Sequence, residues 1–220
     1  PENLPSVPGL RLAARYLPSS PGLAIGGDFY DARVLPDGRL VVMVGDVAGH
    51  GAESAARAAR MRFGWSALVE VDPDPSRVLA ILNTHIAEPH ERDQGIFATM
   101  CHCIVHPDGR AQFALAGHPR PLLVAGDQAL PVDVEARGPI LGLLDHVDWP
   151  VTEVQIPVGG MLVIYTDGLV EARRDGEIFG WARAAEVLTS CPRQSLEERM
   201  AYLTESAQRY DEGNLRDDVA

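Results

Sequence analysis

Apolar positions along the chain change period as the sequence proceeds, and the changes divide it into blocks of strand and helix. Leu10–Tyr16 reads as a first strand, and the "LPSSPG" that follows it as a turn cluster. Ile25–Val34 and Arg39–Val44 read as two more strands on either side of "LPDGR", where Asp37 and Gly38 predict a hairpin. From Gly51 to Val71 the spacing becomes helical, with Ala55, Ala58, Met61, Arg62 and Trp65 on one stripe. A second helix is predicted after "DPDPS", with Ser76 as its N-cap and Val78, Leu79, Leu82 and Ile86 as its apolar face. Short apolar runs then return at Phe97–Val105 and Ala111–Ala116, joined by "HPDGR" with the turn chemistry of the first hairpin, and again at Pro121–Val124 and Met161–Tyr165. Helical spacing resumes at Trp181–Leu188 and at Leu196–Tyr210, where Ser195 and Glu198 form a capping-box pattern. Strands, two helices, strands, two helices is an α+β order with largely antiparallel sheets.

Composition narrows what such a fold does. The chain has 220 residues, 46% hydrophobic and 23% charged, enough for one substantial core. With 19 Lys and Arg against 31 Asp and Glu, its formal charge of -12 repels phosphate backbones, which argues against nucleic acid as a partner. No apolar run is long enough for a membrane span, and the amino terminus has no signal pattern, so a cytoplasmic location without membrane insertion is expected. Cys101, Cys103 and Cys191 lack the spacing of a zinc site or a disulfide framework; Cys101 and Cys103, two apart in an apolar run, are expected in the core.

The chemistry is in the aspartates. Asp28 follows two glycines in "GGDFYD", Asp46 ends the apolar run of "LVVMVGDVAGHG", Asp167 ends "MLVIYTDG" in the same way, and Asp217 and Asp218 stand near the carboxyl end. Any one of them alone reads most simply as a turn cap. Together they are different, because a carboxylate at the end of a buried strand loses solvation and needs a compensating charge. No Lys or Arg adjoins Asp46 or Asp167, so bound cations are the natural partners. Carboxylates without His or Cys are hard oxygen ligands, suited to Mg²⁺ or Mn²⁺ rather than zinc. The neighbouring glycines leave room for hydrated ions.

"GGDFYD", "GDVAGHG", "FATM", "AGHP", "YTDGLVEA" and "RDDVA", in this order, resemble the PPM family of metal-dependent protein serine/threonine phosphatases, in its bacterial branch typified by stage II sporulation protein E. The resemblance runs from about Leu10 to the last residue. It implies a four-layer α-β-β-α sandwich, with two antiparallel sheets packed together and helices on both outer faces. It also implies two Mn²⁺ or Mg²⁺ ions, about 3.5–4 Å apart. By match to the family's motifs Asp46 bridges the ions, the carbonyl of Val47 binds one of them, Asp167 and Asp217 bind the second, and Asp28 holds a metal or its water. Asp28 and Asp46 are the residues closest to the chemistry, and Asp218 is a neighbour of the set. Water activated between the ions then hydrolyses phosphoserine or phosphothreonine without a covalent enzyme intermediate. The likeness further implies a single catalytic domain over residues 1–220, excised from a larger sensor protein and lacking its last strand, that acts on a phosphorylated regulatory protein of the anti-sigma-factor antagonist type.

Some family positions are filled differently. Ala48 stands where some relatives have a general-acid His, and His50, two residues on, is expected only to pack in the turn before the helix. Leu23 and Ala24 occupy the region of a phosphate-binding Arg, and the nearest preceding Arg is Arg15, so no phosphate contact is assigned. His118 in "AGHP" is expected to orient its loop by a hydrogen bond. The helices from Gly51 to Glu88 begin beside the turn after Asp46, which suggests a regulatory lever. A competing reading keeps the fold as a catalytically silent phosphoprotein-binding module. A nucleotide-binding loop at "GDVAGHG" is excluded, since no Lys and Ser or Thr follow the glycines.

Overall fold

The computed structural model describes residues 4–18, 26–49, 51–86, 96–190, 195–213, 215 and 217–220. Leu23, Ala24, Ile25 at the start of the strand predicted over Ile25–Val34, His50 and Cys191 lie outside these described residues.

Strands β1 (Asp28–Val34) and β2 (Leu40–Val47) form the first hairpin, and β3 (Ala98–Val105) and β4 (Arg110–Ala116) the second. Both turns close as their sequences require: Gly38 and Gly109 each sit at a φ of +85°, a conformation that glycine adopts without a Cβ penalty. With β7 (Val151–Gln155) these strands make one antiparallel sheet in the order β1-β2-β3-β4-β7. A smaller sheet follows the order β6-β5-β8, built from β5 (Leu122–Ala125), β6 (Gln128–Pro131) and β8 (Met161–Val163). The short ribbon of β9 (Arg173–Arg174) and β10 (Glu177–Ile178) stands apart from both.

Alternation along each strand decides what packs where. Val41, Met43, Met100 and Ile104 face helices α1 (Ala52–Leu68) and α2 (Pro75–Ile86), where Trp65, Val78, Leu79 and Leu82 complete one core. The opposite faces of the same strands, with Leu40, Cys101, Cys103 and Phe113, pack against Leu123, Leu162 and Ile164 of the second sheet. That sheet's other face, with Leu122, Val124 and Val163, packs on α4 (Gly180–Ser190) and α5 (Leu196–Tyr210) through Ala184, Leu188, Leu203 and Ala207. Three cores between four layers give the α-β-β-α sandwich, and Cys101 and Cys103 lie fully inside it. Among the described residues, no helix is long and apolar enough to cross a membrane.

Several elements differ from the sequence expectation. Leu10–Tyr16 is not a strand; its first residue, Leu10, makes only an isolated bridge with Val7. Ser76 is not the cap of α2, which starts one residue earlier at Pro75, and Asp74 performs that role by accepting the Arg77 N–H at 3.0 Å. The Ser76 hydroxyl accepts instead from the Trp149 N–H. The capping box of α5 forms as expected, Ser195 and Glu198 each bonding the other's backbone.

Candidate metal centre

Cross-strand register brings the first two acids together. Asp28 at the start of β1 lies directly opposite Asp46 near the end of β2, so both side chains project from the same face of the sheet, the one turned toward the second sheet. Asp167 arrives from that second sheet: the chain leaves β8, passes Tyr165 and Thr166, and enters the single-turn helix α3 (Asp167–Glu171) with Asp167 as its first residue. Asp217 and Asp218 come from the carboxyl-terminal segment, which is tied down by reciprocal bonds between Leu17 and Val219 and by the Thr166 N–H to the Ala220 carbonyl. Ligand oxygens of Asp46, Asp167 and Asp217 all fall within 4.8 Å of one another.

Glycines make the convergence possible. A Cβ at Gly27 would collide with both the Val47 carbonyl oxygen and Asp46 Oδ1, which puts that carbonyl at the edge of the carboxylate cluster. At Gly26 it would overlap the Asp218 carboxylate, and at Gly168 the Asp218 carbonyl. The sequence reading brought Asp28, Asp46, Val47, Asp167 and Asp217 into one group, and all five stand at this end of the sandwich.

Polar residues that the sequence reading passed over hold the acids in place. The Thr166 hydroxyl donates to Asp28 Oδ2 at 2.6 Å and accepts from the Ala220 N–H at 2.9 Å. Tyr16 donates its phenolic proton to Asp218 Oδ2 at 2.9 Å while accepting from the Gly26 N–H, and burial followed by this bond raises its pKa above the usual tyrosine range. The available signal was adjacency, since Thr166 precedes Asp167 in "YTDG"; nothing in the sequence pointed to Tyr16. His118 is fully buried and its Nδ1 meets the Thr99 hydroxyl at 3.0 Å, the loop-orienting bond expected of it. Arg15, the nearest preceding arginine, pairs with Glu205.

The electrostatics are those of an unneutralised cage. Burial raises the pKa of Asp28, and the charges of Asp46, Asp217 and Asp218 add to the effect against the opposing Thr166 bond. Asp46 is raised for the same reason, burial first and then Asp217 and Asp167; Asp217 is raised chiefly by burial. Among the described residues no cation pairs with Asp28, Asp46, Asp167 or Asp217, and Asp28 Oδ1 is buried without a hydrogen-bond partner. Carboxylates from separate parts of the chain, an orphaned buried oxygen and a glycine cradle that admits a backbone carbonyl all fit divalent cations bound by oxygen.

Comparisons with known proteins agree with this fold. Residues 36–220 match the family described as Stage II sporulation protein E (SpoIIE). The phosphoserine phosphatase RsbU of Bacillus subtilis is 24% identical over 201 residues, covering 91% of this chain and 59% of RsbU. The solved RsbU and RsbW domains of Rv1364c from Mycobacterium tuberculosis superpose with a TM-score of 0.78 at 32% identity, covering 93% of this chain and 56% of that one. The PP2C phosphatase domain of SpoIIE from Bacillus subtilis, solved with a fragment of its regulatory domain, has a TM-score of 0.79 at 20% identity, with 93% and 60% covered, a likeness of fold. The chain spans between 34% and 59% of the length of the curated relatives it matches.

Proposed function

The chain belongs to the stage II sporulation protein E family, and from that premise we propose that it is a metal-dependent phosphoprotein phosphatase that hydrolyses phosphoserine or phosphothreonine. The observation that carries this reading is the convergence of Asp46, Asp167 and Asp217 oxygens within 4.8 Å of one another. Asp46, Asp167 and Asp217 would hold divalent cations, with Asp28 and the Val47 carbonyl completing the set; Mn²⁺ or Mg²⁺, two ions, suits an all-oxygen shell. Such ions, when bound, supply a lowered water pKa and neutralise charge on the phosphoryl group. The protein's own contribution is to bring these groups together. Thr166 fixes one Asp28 oxygen and leaves the other turned into the cage. Asp46, raised in pKa by burial, keeps a proton more readily than an exposed carboxylate until a cation displaces it. The carboxylates by themselves would repel a phosphoryl group, so substrate binding would depend on the cations being present.

The substrate we propose is a small phosphorylated regulator of the anti-sigma-factor antagonist type, acting in the cytoplasm, with sensor domains in the same polypeptide. Support comes from RsbU, named a phosphoserine phosphatase, and from the fraction of each relative that this chain spans. The test is phosphate release from a phosphoserine protein and from a small aryl phosphate, with and without Mn²⁺. Metal-dependent release that Asp46→Asn abolishes is expected. Phosphoprotein binding without release, in the presence of Mn²⁺, would instead identify a silent binding module.

A further inference from the structure

Between β4 and β5 the chain crosses from the larger sheet to the smaller one, and His118 sits in that crossover. Its side chain is completely buried, and among the described residues it takes part in no ion pair. Nδ1 lies 3.0 Å from the hydroxyl of Thr99 on β3. On its other side the ring meets the backbone of Tyr165, close enough to offset a little of the burial that pushes its pKa down to about 3, although Nε2 has no partner of full hydrogen-bond geometry. The ring is therefore neutral and spans the two sheets.

Its two contacts adjoin the metal centre from opposite sides. Thr99 is the cross-strand partner of Asp46 and projects from the same face, so Asp28, Asp46 and Thr99 form one row across β1, β2 and β3. Tyr165 is two residues before Asp167. A sliding of one sheet over the other would separate Asp46 from Asp167 while leaving each sheet's own ladder intact. Gly117, at a φ of +65° and tight against Ile140, sets the crossover backbone from which His118 reaches inward.

We propose that His118 is a positioning residue for the metal centre: held to the Thr99 hydroxyl near the start of β3 in the larger sheet, with its ring against the Tyr165 backbone that leads to Asp167, it sets where Asp46 stands relative to Asp167. The proposal rests on the reading of those carboxylates as cation ligands. Groups that orient metal ligands without touching the ion change metal affinity by about 10–100-fold when removed. Replacing His118 by Leu disturbs a buried site and can lower stability for that reason alone, so Thr99 carries the test. Thr99→Val keeps the β-branched shape and removes only the hydroxyl; Thr99→Ser restores it.

Mn²⁺ binding by calorimetry, alongside thermal unfolding in EDTA, reads the effect without reference to turnover. Thr99→Val is expected to bind Mn²⁺ about tenfold or more weakly and to unfold at a lower midpoint in EDTA, because His118 Nδ1 loses its partner in a buried site, and Thr99→Ser to recover both the affinity and the midpoint. The double variant Thr99→Val/His118→Leu should bind no more weakly than the weaker single variant, because both remove one shared bond. Unchanged Mn²⁺ affinity in Thr99→Val, no rescue by Thr99→Ser, or additive losses in the double variant would each overturn the proposal. Absence of Mn²⁺ binding by the unaltered chain would overturn the metal reading and this proposal with it.

Discussion

Asp28 is held by one oxygen. Oδ2 accepts from Thr166, whereas Oδ1 is buried with no partner and faces other carboxylates. In the metal-free chain this is destabilising at neutral pH, and the direction follows from proton counting. Asp28, Asp46 and Asp217 have folded pKa values above the ordinary carboxylate value, so the folded state holds protons that the unfolded state has released. Stability in EDTA should therefore fall as pH rises from the ordinary carboxylate range through the raised folded values. Asp28→Asn removes the ionisable group, and with it the cost of keeping that group protonated in the folded state, and keeps an oxygen for Thr166. In EDTA at pH 8 it should be more stable than the unaltered chain, by on the order of 1–2 kcal/mol or ~3–6 °C in Tm, while losing metal-dependent phosphatase activity. Thermal unfolding with and without EDTA, paired with a phosphate-release assay, checks both halves. Asp28, Asp46 and Asp167 were legible in the sequence because each ends an apolar run or adjoins glycine, whereas Asp217 was legible only through the resemblance of "RDDVA" to the family's motif. Tyr16, Thr99 and Thr166 were not, because a hydroxyl's partner is fixed by the fold and leaves no periodic trace.

At the scale of elements, the helical layer is fastened to the larger sheet by one buried polar chain. The Trp65 indole donates to His102 Nδ1 at 2.9 Å, which places the proton of the neutral ring on Nε2, and Nε2 donates to the Pro73 carbonyl at 2.9 Å. Thus α1, β3 and the α1–α2 connection share a single imidazole. Trp65→Phe would leave Nδ1 without a donor in a fully buried site and open a cavity, at a loss of roughly 2–4 kcal/mol, measurable by denaturant unfolding. Burial pushes the His102 pKa down to about 4, against an ordinary 6.5. The unfolded chain takes up the proton first as pH falls, so the His102 contribution, on the order of 3 kcal/mol, is present above 6.5 and lost toward 4. The stability difference between the unaltered chain and His102→Gln should shrink across that window. The same layer shows what periodicity can and cannot reveal. Helices α1, α2, α4 and α5 were legible because each buries a stripe, as Ala55, Ala58, Met61 and Trp65 do in α1. Strands β6 and β7 were not: β7, at the sheet edge, alternates between exposed and half-buried residues and includes Thr152 and Glu153, so its sequence lacks an apolar signature. The N-cap of α2 was misplaced because Asp74 and Ser76 are both good capping residues, and Pro75 between them is favoured at the first helical position.

Across the whole molecule, the cage joins the larger sheet to the segments that pack on the smaller one. Asp28 and Asp46 belong to the larger sheet, Asp167 follows the smaller sheet, and Asp217 belongs to a carboxyl-terminal segment held by Leu215 and Val219 in the outer core and by backbone bonds to Leu17 and Thr166. A ligand that binds only the folded state stabilises it by about 2.7 kcal/mol at a hundredfold excess over Kd, which corresponds to ~5–10 °C in a chain of this size. Mn²⁺ should therefore raise Tm by that amount, and the gain should vanish in Asp46→Asn, which removes the charge at the centre of the cage. Hydrogen exchange locates the effect further. Local opening is sub-global, so Mn²⁺ should slow exchange most in the peptides that carry the acids, Asp217–Ala220 and the Thr166–Asp167 turn, and least in α4 and α5, which carry none of them. Slowing spread evenly over α4 and α5 as well would show that the ion acts on global unfolding alone, and that the carboxyl-terminal segment is already fixed without it.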